Sequence, residues 1–269
     1  MEMNMGSITI KSGAGNYGVK VGGTASATLM RTEIKGSGKG KGTGVIMESG
    51  GGMVMDGVWI SDVTTGLEVK SGTLKMMGGT KITVKEDGTG LSVSGTAMAT
   101  LMGAEIRGVG TGYGVYVGGG TVMMDRVWIE GVSEGVEVMG SGRLVMMGES
   151  TIIFTGGEGS YGVKVGETAD ATLMGTEIKG TGMGYGVYIS GGAVMLSGVN
   201  ISKVEKGVEV TNGRLKMNMG SITVKSGAGN GNYGVGVWVS GMATAHLTDV
   251  KIRGRVDRGR GCIWGVGRW

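Results

Sequence analysis

Gly114-Val-Tyr-Val117 contains in four residues the rule on which the chain is built: a glycine, a branched apolar residue, a variable residue and a second apolar one. The form G-[V/L]-x-[V/I/M] occurs ten times, at residues 18–21, 44–47, 66–69, 90–93, 114–117, 135–138, 162–165, 186–189, 207–210 and 234–237. From the first copy to the last is 216 residues, so nine steps average 24. Two apolar residues two apart lie on one face of a strand, and the residue between them points the other way. One such strand cannot bury its face alone; stacking each turn of chain on the previous one joins the faces into a continuous core. The spacing predicts an all-β fold, a single right-handed parallel β-helix (a β-solenoid) of about eleven coils, near 50 Å long at about 4.8 Å per strand. Its hand follows from the right-handed preference of parallel crossovers. Val19, Val115, Val163, Val187 and Val208 are expected in one inward row.

A longer period overlies the first. Leu29-Met-Arg-Thr-Glu-Ile-Lys-Gly36, Leu101-Met-Gly-Ala-Glu-Ile-Arg-Gly108 and Leu173-Met-Gly-Thr-Glu-Ile-Lys-Gly180 lie 72 residues apart, so three coils form a superrepeat. One coil type carries Ser7-Ile-Thr-Ile10, a second Glu33-Ile-Lys35, and a third Asp56-Gly-Val-Trp-Ile60, repeated as Asp125-Arg-Val-Trp-Ile129. Alternation points the isoleucines inward and Trp59 and Trp128 outward, where a large aromatic marks a contact surface for a partner or carbohydrate, or covers a neighbouring coil. Threonine falls on about one coil in three, too rarely for an ice-binding ladder. Glutamates of one coil type recur every third coil, roughly 14 Å apart, too far for shared metal ligation or an acid pair; they read as a solvated charged face. Methionine, 22 residues in all, clusters in Leu74-Lys-Met-Met77, Leu144-Val-Met-Met147 and Leu215-Lys-Met-Asn-Met219. Thioethers can hold soft copper, but the repeating context favours packing.

Glycine is 62 of 269 residues and proline is absent, with no G-X-Y period, which excludes collagen. The glycines read as turns that need positive φ. With 40% hydrophobic and 18% charged residues the chain has material for a core. The repeat defines one domain, 1–254, followed by a divergent basic tail, 255–269, with Gly261-Cys-Ile-Trp264 as an eleventh tetrapeptide. Net charge is +4, but six Lys or Arg and one Asp lie from Lys251 onward, so the solenoid itself is nearly neutral. That argues against nucleic acid, which requires a clustered cationic track. Cys262 is the single cysteine and forms no internal disulfide. The first residues lack a signal peptide's basic and apolar regions, and no apolar run of 18 residues exists to insert in a membrane. Gly6-Ser-Ile-Thr-Ile10 recurs as Gly220-Ser-Ile-Thr-Val224, so the chain starts inside a superrepeat and reads as a piece of a longer protein or as a gene model that lost its upstream part.

No constellation for catalysis emerges. The lone histidine, His246, sits in a degraded repeat and reads as a surface residue. The seven aspartates are scattered without an Asp-Asp pair, and Gly110-Thr-Gly-Tyr-Gly114 precedes a strand rather than the helix of a phosphate loop. No catalytic residue, cofactor or metal site is expected.

Gly114-Val-Tyr-Val117, Gly119-Gly-Thr-Val-Met-Met-Asp125 and Val127-Trp-Ile129 together resemble the right-handed, pectin-lyase-like β-helix. Tyr185-Gly-Val-Tyr-Ile-Ser-Gly-Gly192, Gly198-Val-Asn-Ile-Ser202 and Gly207-Val-Glu-Val210 look like the passenger repeats of type V autotransporters, in particular inducible ones of intracellular, blood-borne alphaproteobacteria. This resemblance covers nearly the whole chain. It implies an exported passenger ahead of an outer-membrane barrel that this chain lacks, located at the cell surface or outside the cell, whose relatives adhere to or stimulate host cells. The partner implied is a host-surface protein or glycan. The Asn-Thr-Asp, Asp-Asp and Gly-His-Gly motifs of the polygalacturonases and the calcium-binding aspartate cluster of pectate lyases are missing, so a polysaccharide-active enzyme is the weaker alternative; a purely structural stalk is another. The expected contact residues are Tyr116 and Tyr188, in an outward column with Glu137, Lys164 and Glu209, together with Trp59 and Trp128 on another strand. Glu137 and Lys164 are expected as an exposed pair of little energetic weight.

Overall fold

The structure is a computed structural model that describes residues 1–11, 13, 15–38, 42–225 and 234–254. Its regular elements are all strands, and every pairing between them is parallel. Each turn of chain lays down three strand segments, and each segment pairs with its counterparts one turn before and one turn after. Three rows of stacked strands result. The tetrapeptides form one row, from Asn16–Val21 to Val235–Val239. A leucine- and methionine-rich row follows, from Glu2–Asn4 to Thr244–Thr248, and then an isoleucine row, from Ser7–Ile10 to Lys251–Gly254. The chain is thus a parallel β-solenoid of about nine turns. The expectation of about eleven coils included the tetrapeptide at 261–264, which lies outside the described residues, as do Cys262 and the basic tail 255–269.

The inward valines behave as the pattern requires. Val115, Val136, Val163, Val187 and Val208 stand opposite one another in successive rungs and are fully buried, and Val19 is buried near the N-terminal end. The three coil types prove to be one strand position seen in three successive turns. Ile34, Ile60, Ile82, Ile106, Ile129, Ile152, Ile178, Ile201 and Ile222 form an unbroken buried ladder. Burying one such side chain contributes about 1.5–3 kcal/mol before entropy opposes it. Repetition gives the solenoid its stability.

Methionine divides between inside and outside. Met76, Met146 and Met217 fill the core, as packing predicts, while Met102, Met123, Met174 and Met195 project from the same row into solvent. Between this row and the isoleucine row the chain turns a corner through a left-handed residue, or through two in succession as at Gly78-Gly79, Gly148-Glu149 and Met219-Gly220. Gly57 and Gly103 adopt that conformation at no steric cost, whereas Arg31, Arg126 and Asp249 adopt it despite their side chains. Side-chain hydroxyls secure the corner from inside: Ser150 Oγ donates to Met147 O at 2.6 Å and accepts from Val127 N–H at 3.0 Å.

Two expectations require correction. The tetrapeptide glycines are not positive-φ turn residues, since none of Gly18, Gly44, Gly66, Gly90, Gly114, Gly135, Gly162, Gly186 and Gly207 has positive φ. They lie within or at the start of strands because there is no room for a Cβ. At Gly114 it would collide with Ile129 Cγ2 and with the carbonyl oxygen of Gly135 in the next turn, and the same pair of obstacles recurs down the row. The second correction concerns the last copy. Val208 pairs with Val237 and Val210 with Val239, so the tenth tetrapeptide is Gly236-Val-Trp-Val239, two residues later than 234–237. Gly236 makes the close approach, against Ile252. The variable residue on the last rung is therefore Trp238, opposite Glu209.

Candidate functional site: a tyrosine face on the tetrapeptide row

The predicted outward column is present in register. Tyr116 stands opposite Glu137, Glu137 opposite Lys164, Lys164 opposite Tyr188, and Tyr188 opposite Glu209. Tyr116 and Tyr188 are three rungs apart, roughly 14 Å at the usual strand spacing. Trp59 and Trp128 do not join them. They stand on the isoleucine row, 52% and 41% exposed, three rungs apart and separated by Lys81 and Glu105. The four expected contact residues thus belong to two faces.

Sequence alternation missed a second column beside the first: Tyr113, Glu134, Tyr161, Tyr185 and Lys206, each opposite the next. Strict alternation would send Tyr113 inward with Val115 and Val117. The chain instead bends at Gly114, where the glycine and Val115 both face the core, and Tyr113 emerges beside Tyr116. Their rings meet edge to face with centroids 5.9 Å apart, and Tyr185 and Tyr188 repeat the pairing at 5.2 Å. The available signal was the residue before each tetrapeptide glycine, which is Tyr at 17, 113, 161 and 185.

Charges bind the two columns together. Lys164 Nζ lies 2.8 Å from Glu137 Oε1 and 5.5 Å from the centre of the Tyr161 ring. Lys206 Nζ lies 2.8 Å from Glu209 Oε2, donates to Tyr185 Oη at 3.2 Å and sits 4.7 Å from that ring's centre. Glu137 is only 5% exposed, and Tyr161 likewise. This overturns the reading of Glu137 and Lys164 as an exposed pair; flanking tyrosines cover the carboxylate. Burial, with Glu137 adding, raises the Glu134 carboxyl above its ordinary value, although the Tyr113 hydroxyl and Lys164 offset part of the shift. The Tyr113 and Tyr161 hydroxyls are also pushed up, first by burial and then by Glu134 and Glu137, and so remain protonated hydrogen-bond donors at neutral pH. The face combines fixed aromatic edges, phenolic donors and two ion pairs, Glu137–Lys164 and Glu209–Lys206, beside the Glu134 carboxyl. A phenol held protonated is a poor nucleophile or base.

Elsewhere, His246 is exposed opposite Lys216, as a surface residue should be. Among the described residues, no three His, Cys, Asp or Glu side chains converge as a metal-ligand group, and no helix is long and apolar enough to cross a membrane. Compared with family models, with curated proteins and with solved structures, the chain gives no match.

Proposed function

We propose that this solenoid is part of an exported bacterial passenger of the autotransporter type, right-handed in its coil, which adheres to host-cell surfaces and performs no chemistry of its own. The observation that carries the reading is the tyrosine face. Tyr113, Tyr116, Tyr185 and Tyr188 stand in two ring pairs on a rigid stack, flanked by the ion pairs Glu137–Lys164 and Glu209–Lys206. Tyrosine offers large, amphipathic contact area at little entropic cost and is enriched among residues that dominate binding energy. The resemblance of residues 185–210 to passenger repeats supplies the cellular setting: the cell surface or the extracellular space, with a host protein or glycan as partner.

The test is adhesion of the labelled chain to cultured mammalian cells at physiological salt. Saturable binding is expected, with Tyr116→Ala and Tyr188→Ala each weakening it about tenfold or more, and with Trp59→Ala leaving it unchanged because Trp59 is on the other face. Absence of saturable binding, or equal binding by all variants, would favour a stalk whose faces have no partner.

A further inference from the structure

Next to Trp128, on the isoleucine row, a second feature lies outside the tyrosine face. An open depression of about 420 Å³ is lined by Thr83, Arg107, Glu130, Ile153, Thr155 and Thr181, with the small residues Gly108 and Gly131 in its wall. Its floor is one column: Thr83 opposite Arg107, Arg107 opposite Glu130, and Glu130 opposite Ile153. That column runs along the solenoid for roughly 14 Å at three strand spacings. Trp128 is two residues before Glu130 on the same outward side, and its indole N–H donates to Glu130 Oε2 at 2.8 Å. The indole N–H is therefore tied to a residue that lines the depression, while the ring, itself outside the lining, is 41% exposed. Arg107 lies 3.2 Å from the other oxygen of Glu130 and also bonds Glu105.

We infer that this depression is a binding site for an uncharged oligosaccharide, independent of the tyrosine face. Three features select that chemistry. A half-exposed indole offers an apolar platform of the kind a pyranose ring's C–H face covers. Beside it, Arg107 and Glu130 supply guanidinium N–H groups and carboxylate lone pairs beyond those they spend on each other, on Glu105 and on Trp128, and threonines continue the lining on both sides. Charge decides against an anionic ligand: the lining holds one cation and one anion, paired with each other, so no free positive charge awaits a phosphate or uronate. The open, elongated form suits a short chain of sugars better than a single enclosed ring.

The test is saturation-transfer NMR on the full chain with cellotetraose, chitotetraose and maltotetraose, and with tetragalacturonate as the anionic arm. At least one uncharged tetrasaccharide should give a saturable signal that Trp128→Ala weakens about tenfold. Arg107→Ala should weaken it similarly and Tyr188→Ala not at all, with far-UV circular dichroism confirming that each variant keeps its strands. Trp128→Phe, which keeps a ring but loses the bond to Glu130, should fall between. No saturable signal from any uncharged tetrasaccharide, binding of tetragalacturonate alone, or binding that Trp128→Ala leaves unchanged would overturn the assignment. Failure here would leave cell adhesion through the tyrosines untouched, and a loss of adhesion in Tyr188→Ala would not disturb this site.

Discussion

Gly114→Ala lowers the denaturant midpoint of the solenoid by the equivalent of about 3 kcal/mol, the upper part of the range for overpacked cores. The added methyl has no empty direction to enter. It meets Ile129 Cγ2 on the core side and the Gly135 carbonyl in the next turn, and neither is the loose end of a flexible side chain. To admit it, the tetrapeptide row must separate from the isoleucine ladder over at least two turns. Gly182→Ala is the matched control, because a Cβ there meets nothing within 4 Å and φ is not positive; its midpoint should move by less than about 0.5 kcal/mol. Long repeat arrays need not unfold in two states, so the midpoints should be compared directly. Equal effects at Gly114 and Gly182 would mean that the tetrapeptide glycines are turn residues after all.

Lys164→Met should destabilise by a similar amount, about 3 kcal/mol, because it leaves the Glu137 carboxylate without its partner in a site that is almost closed to water. Glu137 is 5% exposed and its ion pair with Lys164 spans 2.8 Å. Adding Glu137→Leu to Lys164→Met should recover most of the loss, since the orphaned charge is then gone and Tyr161 packs against an apolar neighbour. The double-mutant cycle separates this from a general loss of lysine packing. A surface pair would respond by less than about 1 kcal/mol, which is the response the sequence reading implied and the structure contradicts.

Those two sites mark where the sequence was informative and where it was not. The period of 24, the buried valines and the outward column from Tyr116 to Glu209 were legible because a strand's two-residue alternation and a solenoid's fixed rise both act locally. The role of Gly114 was not, because its obstacle is an isoleucine 15 residues later and a carbonyl one turn away. The same bend hid Tyr113, Tyr161 and Tyr185, and with them the burial of Glu137: alternation counts residues but does not register a change of strand direction at glycine. At the last rung the sequence was read as Gly234-Val-Gly-Val237, and pairing of Val237 with Val208 and of Val239 with Val210 moves the tetrapeptide to Gly236-Val-Trp-Val239. Trp59 and Trp128 were placed outward correctly, yet their separation from the tyrosines depends on which strand forms which row, and that is a property of the whole turn.

The central claim is that every turn adds one strand spacing along a single axis, which is what places the tyrosine columns and the Trp128 depression where they are. Thr73 and Thr244 occupy one outward column, joined through Met98, Thr121, Arg143, Asp170, Ala193 and Arg214. Seven spacings of about 4.8 Å put their backbones roughly 34 Å apart. Spin labels at Thr73→Cys and Thr244→Cys, in a Cys262→Ser background, would read that distance by pulsed electron paramagnetic resonance. A single narrow distribution centred near that value is the predicted result; a broad distribution, or one centred beyond about 50 Å, would contradict the stacked solenoid.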